Sequence, residues 1–275
     1  MAHLRANRAC SIMSRPTVSL VLIDTNAYAL SAVALNQCLS RFAFDDVLLF
    51  SDNDQVWGGQ TVHRVARFRS IADYNDVLLN RLPEYLRTDF FLVIQYDGFI
   101  LDEAQFSPHF FHYDYIGAPW GNYPHFNVGN GGFSWRSRKL AEAAARLNYG
   151  KDEHELAEDL FLCRQHRVWL ETKENCNFAP EAIASHFSIE TGTRRFPTFG
   201  FHGVFHLPEV YRNMPEFLVQ NVTERILRSD IQFSLLANAM RRVSEPCFNE
   251  LLRRRKSLDE ASQAARLVPL ESGVA

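Results

Sequence analysis

Asp97 is the acid in this chain best placed by its neighbours to do chemistry. It closes the stretch FFLVI (Phe90 to Ile94) followed by Gln95-Tyr96-Asp97-Gly98. Five apolar residues rich in aromatic and β-branched types are too few for a helix and suit a strand buried on both faces. Ligands of open α/β sheets gather beyond the carboxyl ends of such strands, so a carboxylate there faces a ligand rather than the core. Gly98 lets the backbone turn and lets a ligand come close, although the same tetrapeptide also suits a plain Asp-Gly turn. Downstream, Gly129, Asn130, Gly131 and Gly132 offer backbone amides and carbonyls with little side-chain cover. Trp120, Phe133 and Trp135 supply flat apolar faces, and Asn130 supplies both a donor and acceptors, which together suit a polyhydroxylated ligand. The alternative is a glycine-rich hairpin filled by core aromatics. On the first reading, Asp97 and Asn130 border one shared cavity.

The elements that must hold these groups are legible in outline. VSLVLI (18–23) reads as a first buried strand, ending in Asp24-Thr25-Asn26. A helix from about Ala27 to Leu39 follows, with Leu30, Val33, Ala34 and Cys38 at helical spacing, and DVLLFS (46–51) reads as a second parallel strand. This β-α-β order predicts a mostly parallel sheet with helices on both faces. A short strand is expected around Val62–Val65. Ser70 caps a helix whose Ile71, Tyr74, Leu78 and Leu82 form one stripe up to Pro83. Further helices are expected over Ser137–Leu147, Glu153–His166 and Ala179–Phe187, with VWLETK (168–173) as a strand between the last two. Beyond Pro208 the pattern turns helical and basic, with Arg241-Arg242 and Arg253-Arg254-Arg255-Lys256. The division expected is a lead-in over 1–16, one α/β domain over 17–207 and a helical basic region over 208–275.

Composition narrows the function classes. A chain of 275 residues with 47% hydrophobic content and 22 Phe buries a full core. A net charge of -3, without a basic stripe interleaved with aromatics in the central domain, argues against a nucleic-acid partner. Cys10, Cys38, Cys163, Cys176 and Cys247 are scattered and odd in number, which suits reduced thiols in a cytoplasmic protein. No run is long and apolar enough to span a bilayer. The basic C-terminal region suits either solvated helix faces or the anionic inner face of a membrane.

QYDGF, YIGAPW and VGNGGFSWRS, in this order, resemble bacterial glycosyltransferases of the GT-A type, in particular a group carrying QxDG, DYIGAPW and GNGGFS motifs. The resemblance continues through HELAEDLFL (154–162) and FGFHG (199–203) and covers roughly Val18 to His206. It implies a GT-A-like sheet and transfer of a sugar from a nucleoside diphosphate donor, a UDP-sugar, to a saccharide or lipid-linked acceptor, with inversion. It further implies donor contacts from Thr25, Asn26, Tyr74, Asn75, Gln95, Asp97 and Gly98. Sugar or acceptor contacts would come from Trp120, Asn130, Gly131, Gly132 and Phe133. The resemblance makes Asp159 the catalytic base, with Glu158 second, although neighbouring helical positions point about 100° apart and cannot both face one pocket. Asp97 and His202 would hold Mn2+ or Mg2+, as hard ions prefer oxygen and Mn2+ accepts imidazole. One departure matters: Gln95 stands where such enzymes carry the first Asp of Asp-x-Asp, so the site has one negative charge fewer. The competing readings are a nucleotidyltransferase, which lacks its glycine-rich basic loop here, and a non-catalytic carbohydrate- or nucleotide-binding protein of the same fold.

Overall fold

A computed structural model of the chain describes residues 15–150, 156–191 and 197–267. Most of the expected lead-in and the first residues of the 154–162 motif fall outside them.

Six strands form the central sheet: β1 (Val18–Ile23), β2 (Asp46–Ser51), β3 (Val62–Arg64), β4 (Phe90–Ile94), β5 (Tyr115–Ile116) and β6 (Ser134–Ser137). Their spatial order is β3-β2-β1-β4-β6-β5. The first four are mutually parallel, while β6 runs antiparallel to both β4 and β5. The chain is therefore α/β with a mostly parallel sheet, as expected.

The apolar runs alternate between two buried faces, as the two-residue period of a strand requires. Leu20, Leu22, Leu92 and Ile94 face α1 (Tyr28–Arg41) through Leu30, Ala34, Leu35 and Cys38. Val21, Ile23, Phe91 and Val93 face the helix that starts as α2 (Ile71–Asn75) and widens into a π-helical stretch over Asp76–Arg81. Ser70 and Asp73 form a capping box at its start. A smaller core joins α3 (Arg138–Arg146), α4 (Glu158–Leu160) and α5 (Arg167–Lys173). Then come α6 (Glu181–Phe187), the short parallel pair β7 (Ser188–Ile189) and β8 (Gly200–Phe201), and α7 (Leu207–Val210). The chain ends in α8 (Pro215–Asn221), α9 (Glu224–Arg228), α10 (Asp230–Val243) and α11 (Glu245–Leu267).

Two expected elements differ. VWLETK is not a strand but lies in α5, where Leu170 is buried and Arg167 Nε donates to Glu171 Oε1 at 2.7 Å, one helical turn away. The helix expected from Glu153 begins at Glu158 within the described residues, because Ala157 is extended, and it widens into a π-helical turn at Phe161–Gln165. The C-terminal helices are no loose tail. Leu218, Ile226, Leu236, Met240 and Leu251 are buried in the same cluster as β1 and α1. The basic run is largely engaged: Arg254 donates to the carbonyls of Val219 and Val222 at the end of α8, Arg255 pairs with Asp230, and Arg253 with Glu250. Among the described residues no helix is long and apolar enough to cross a membrane. Cys38, Cys163, Cys176 and Cys247 are buried free thiols, and Cys10 lies outside the described residues.

Candidate active site

Because β2 and β3 lie on one side of β1 and β4 on the other, the strand order reverses between β1 and β4. Such a reversal leaves a crevice at the carboxyl ends of the two strands. A cleft of about 580 Å³ opens there, lined by Asp24, Thr25 and Asn26 after β1 and by Gln95, Tyr96 and Asp97 after β4. Tyr74, His202 and the segment Arg67 to Ile71 line it too, together with Arg225 of α9 and Gln232 of α10.

The turn after β1 is held by Asp24, whose carboxylate accepts from the backbone amides of Asn26 and Ala27 at 3.0 Å each. Thr25 Oγ1 accepts from the amide of Phe68 at 3.0 Å and ties this turn to the approach to α2. After β4, Gln95 and Gly98 exchange backbone hydrogen bonds of 2.9 and 3.0 Å, so Gln95-Tyr96-Asp97-Gly98 is a tight turn. That turn leaves the buried Asp97 Oδ1 without a hydrogen-bond partner at the cleft wall. Burial pushes the Asp97 pKa up, with His202 opposing the rise.

His202 is the centre of the arrangement. Its Nε2 is 3.6 Å from Asp97 Oδ1 and 3.4 Å from Gln95 Oε1. Its Nδ1 is 2.9 Å from Asn130 Nδ2 and 3.7 Å from Glu190 Oε1. Burial works against charge on this imidazole, but Asp97 and Glu190 outweigh it and hold its pKa above the usual 6.5. Asp97 and Asn130 therefore approach the same imidazole, but the expected cavity shared between them is not there. The His202 ring stands between them, and only the Asp97 side faces the cleft.

The glycines have a different use from the one expected. A Cβ on Gly132 would sit 2.1 Å from His202 Nε2, and one on Gly131 would sit 1.5 Å from Glu158 Oε1. They are bare because protein side chains pack against them, not to present backbone to a ligand. Gly98 likewise backs onto the carbonyl of Gly132 at 2.7 Å from its absent Cβ. Gly132→Ala is accordingly expected to displace His202 and to lower stability by about 1–3 kcal/mol, as overpacking does. Gly121→Ala, where a Cβ meets nothing within 4 Å, should stay within about 0.5 kcal/mol of wild type. Urea unfolding of both variants checks this.

Asn130 adopts a left-handed backbone, φ 68°, which Asn tolerates better than most residues. The amide of Gly131 donates to Asp159 Oδ2 at 3.1 Å. Asp159 thus lies on the Asn130 side of His202, outside the cleft lining; burial raises its pKa, opposed by the amides of Gly131 and Leu160. Glu158 is committed to Arg136, with Oε1 2.8 Å from the guanidinium and both side chains buried.

Three expected site residues are corrected by their surroundings. Phe133 is fully buried, stacked on Phe187 with ring centroids 5.0 Å apart, and offers no face to a ligand. Asn75 is fully buried, its amide donating to Tyr149 Oη and the carbonyl of Leu156 at 2.9 Å each, so it pins the helix rather than lining the cleft. Trp120 is 9% exposed, and the Cη2 end of its indole packs against Gly129, which leaves it little surface for a ligand. The expected metal site falls short as well. Asp97 and His202 supply one oxygen and one nitrogen, and among the described residues no group of three or more His, Cys, Asp or Glu is placed to hold an ion. The described residues do not by themselves make a protein-held metal site.

Sequence reasoning missed Arg67, Arg69, Arg225 and Gln232 in the lining, and Glu190 beside His202. Arg67 and Arg69 flank Phe68 just ahead of the Ser70 cap, and Glu190 directly follows the Ser188-Ile189 pair, both signals of a loop at an element's end. Nothing local marks Arg225 or Gln232.

The family described as a protein of unknown function, DUF5672, matches residues 60–202, just over half of the chain, and the chain belongs to it. No curated protein matches. Solved structures with similar layouts include a glycosyltransferase involved in the glycosylation of the major capsid of PBCV-1, at 7% identity and TM-score 0.42, covering 68% of this chain and 94% of that one. The mannosyltransferase PcManGT from Pyrobaculum calidifontis, in complex with GDP-Man and Mn2+, is 12% identical with TM-score 0.44, covering 93% and 81%. The galactosyltransferase LgtC, in complex with donor and acceptor sugar analogs, is 11% identical with TM-score 0.35, covering 67% and 86%.

Proposed function

We propose that this DUF5672 protein is a GT-A-like glycosyltransferase whose cleft binds a nucleoside diphosphate sugar and whose acceptor is a hydroxyl of a saccharide or a lipid-linked sugar. The observation that carries the reading is the cleft at the strand-order reversal between β1 and β4, lined from both strands by polar side chains. Thr25 and Asn26 contact the nucleoside, with a uracil base expected from the resemblance. Tyr74, Gln95 and Asp97 contact the diphosphate sugar. The unpartnered Asp97 Oδ1 accepts a hydrogen bond from a sugar hydroxyl, since a buried acceptor left unpaired costs free energy that a ligand donor relieves.

With the His202 ring turned aside, the acceptor enters between Asp97 and Asn130, within reach of Asp159. Asp159 takes the proton of its hydroxyl, the freed oxygen bonds to the anomeric carbon, and the bond from that carbon to the diphosphate breaks with inversion. Burial supports this assignment, because a carboxylate with a raised pKa is a stronger base than an exposed one. Glu158, held by Arg136, positions the Gly131 turn instead. No step is routed through a divalent ion, for which the described residues supply Asp97 and His202 only.

The test is a calorimetric panel of UDP, GDP, CDP and their sugars, paired with thermal unfolding. One nucleoside diphosphate is expected to bind and, at 100 times its Kd, to stabilise the fold by about 2.7 kcal/mol. Absence of binding by every member overturns the reading.

A further inference from the structure

We infer that the diphosphate of the donor is held by guanidinium groups, Arg67 before α2 and Arg225 on α9, so that nucleotide binding needs no divalent cation. The inference rests on the proposed donor cleft and specifies how that cleft meets phosphate charge.

Arg67, Arg69 and Arg225 all line the cleft, against two lining carboxylates, Asp24 and Asp97, which leaves a positive excess. The oxygens of Asp24 are already spent on backbone amides. Among the described residues none of the three guanidiniums forms an ion pair. Arginines close by in sequence do: Arg64 with Asp54 at 3.8 Å and Arg228 with Glu224 at 3.3 Å. Free guanidiniums facing a concave wall are suited to phosphate, because their planar forks match it and charge-assisted hydrogen bonds are the strong ones. Gln95 fits the same logic. A neutral amide beside Asp97 keeps negative charge low where phosphate oxygens lie, while the donor set of Asp97 and His202 is too small to hold an ion. Arg225 comes from the helices after residue 207, so the C-terminal region completes the cleft.

The experiment measures UDP and GDP binding by calorimetry in EDTA and in MnCl2, for the full-length protein and for Arg67→Gln, Arg225→Gln and, outside the cleft, Arg228→Gln. The expected result is a Kd in EDTA within about 3-fold of that in MnCl2, a loss of about 10-fold or more for each cleft variant, and no change for Arg228→Gln. Rising NaCl should weaken binding, and uridine or guanosine should be insensitive to either cleft substitution. Because both cleft arginines are exposed, unfolding midpoints should match wild type. Binding seen only with Mn2+, or cleft variants that bind as wild type does, overturns the inference and leaves the donor cleft standing. No nucleotide binding under any condition overturns both.

Discussion

Asp159→Asn should reduce sugar transfer by about 10²–10⁴-fold while leaving nucleotide affinity nearly unchanged, the usual worth of a positioned general base. The split is expected because Asp159 lies outside the cleft lining and touches the Gly131 turn instead. An Asn at this position still accepts from the Gly131 amide through its carbonyl oxygen but turns its NH2 toward the Leu160 N–H, so a stability loss of about 1–3 kcal/mol accompanies the loss of basicity. The pH dependence follows in sign. A base works ionised, and burial raises this carboxyl above its ordinary value of 3.8. The wild-type rate should therefore rise with pH through that raised value and fall away on acidification, and the residual rate of Asp159→Asn should lack this limb. Glu158→Gln is the informative comparison, since it weakens the Arg136 pair without touching the proposed base. A transfer rate for Asp159→Asn equal to wild type removes Asp159 from the mechanism.

The parallel half of the sheet was legible because its signals are local. VSLVLI, DVLLFS and FFLVI are apolar on both faces, which strands covered by helices must be. The Ser70 cap and the stripe after it placed α2 for the same reason, and the acid at the end of β4 marked the cleft. What escaped was of two kinds. VWLETK carries β-branched and aromatic residues that favour a strand, but the Arg167 and Glu171 pair and the burial of Leu170 decide for a helix. Tertiary context overrode a weak propensity. The second kind is contact across the chain. Placing His202 between Asp97 and Asn130, or Arg225 opposite the end of β1, depends on how α9 and the loop after β8 pack, and no spacing within either segment encodes that. The glycines illustrate the limit well. Their lack of side chains was read as room for a ligand, yet the room is taken by Glu158 and His202.

Arg136→Met should destabilise the protein by about 3–5 kcal/mol at neutral pH, the range for removing one partner of a buried ion pair. Arg136 is 2% exposed, donates to Ser134 Oγ and Glu158 Oε1 at 2.8 Å each, and lies 5.1 Å from the centroid of the Tyr115 ring. Met fills much of that space but returns no positive charge, so Glu158 is left buried and uncompensated. Burial already drives the Glu158 pKa upward and Arg136 opposes it most; without the guanidinium only the weaker pull of His202 works against the rise. A carboxyl whose folded pKa exceeds its unfolded value penalises folding once the pH is above the unfolded value. The deficit of Arg136→Met should therefore be greatest near pH 7 and shrink as the pH falls toward 4.5, the ordinary value for Glu. The double variant Arg136→Met with Glu158→Leu removes both charges and should recover most of the loss. Urea midpoints of wild type, both single variants and the double variant, at pH 5 and pH 7, supply the cycle. Additive single losses would mean that the two side chains are not energetically coupled, and the Gly131 turn would then owe its position to something other than this pair.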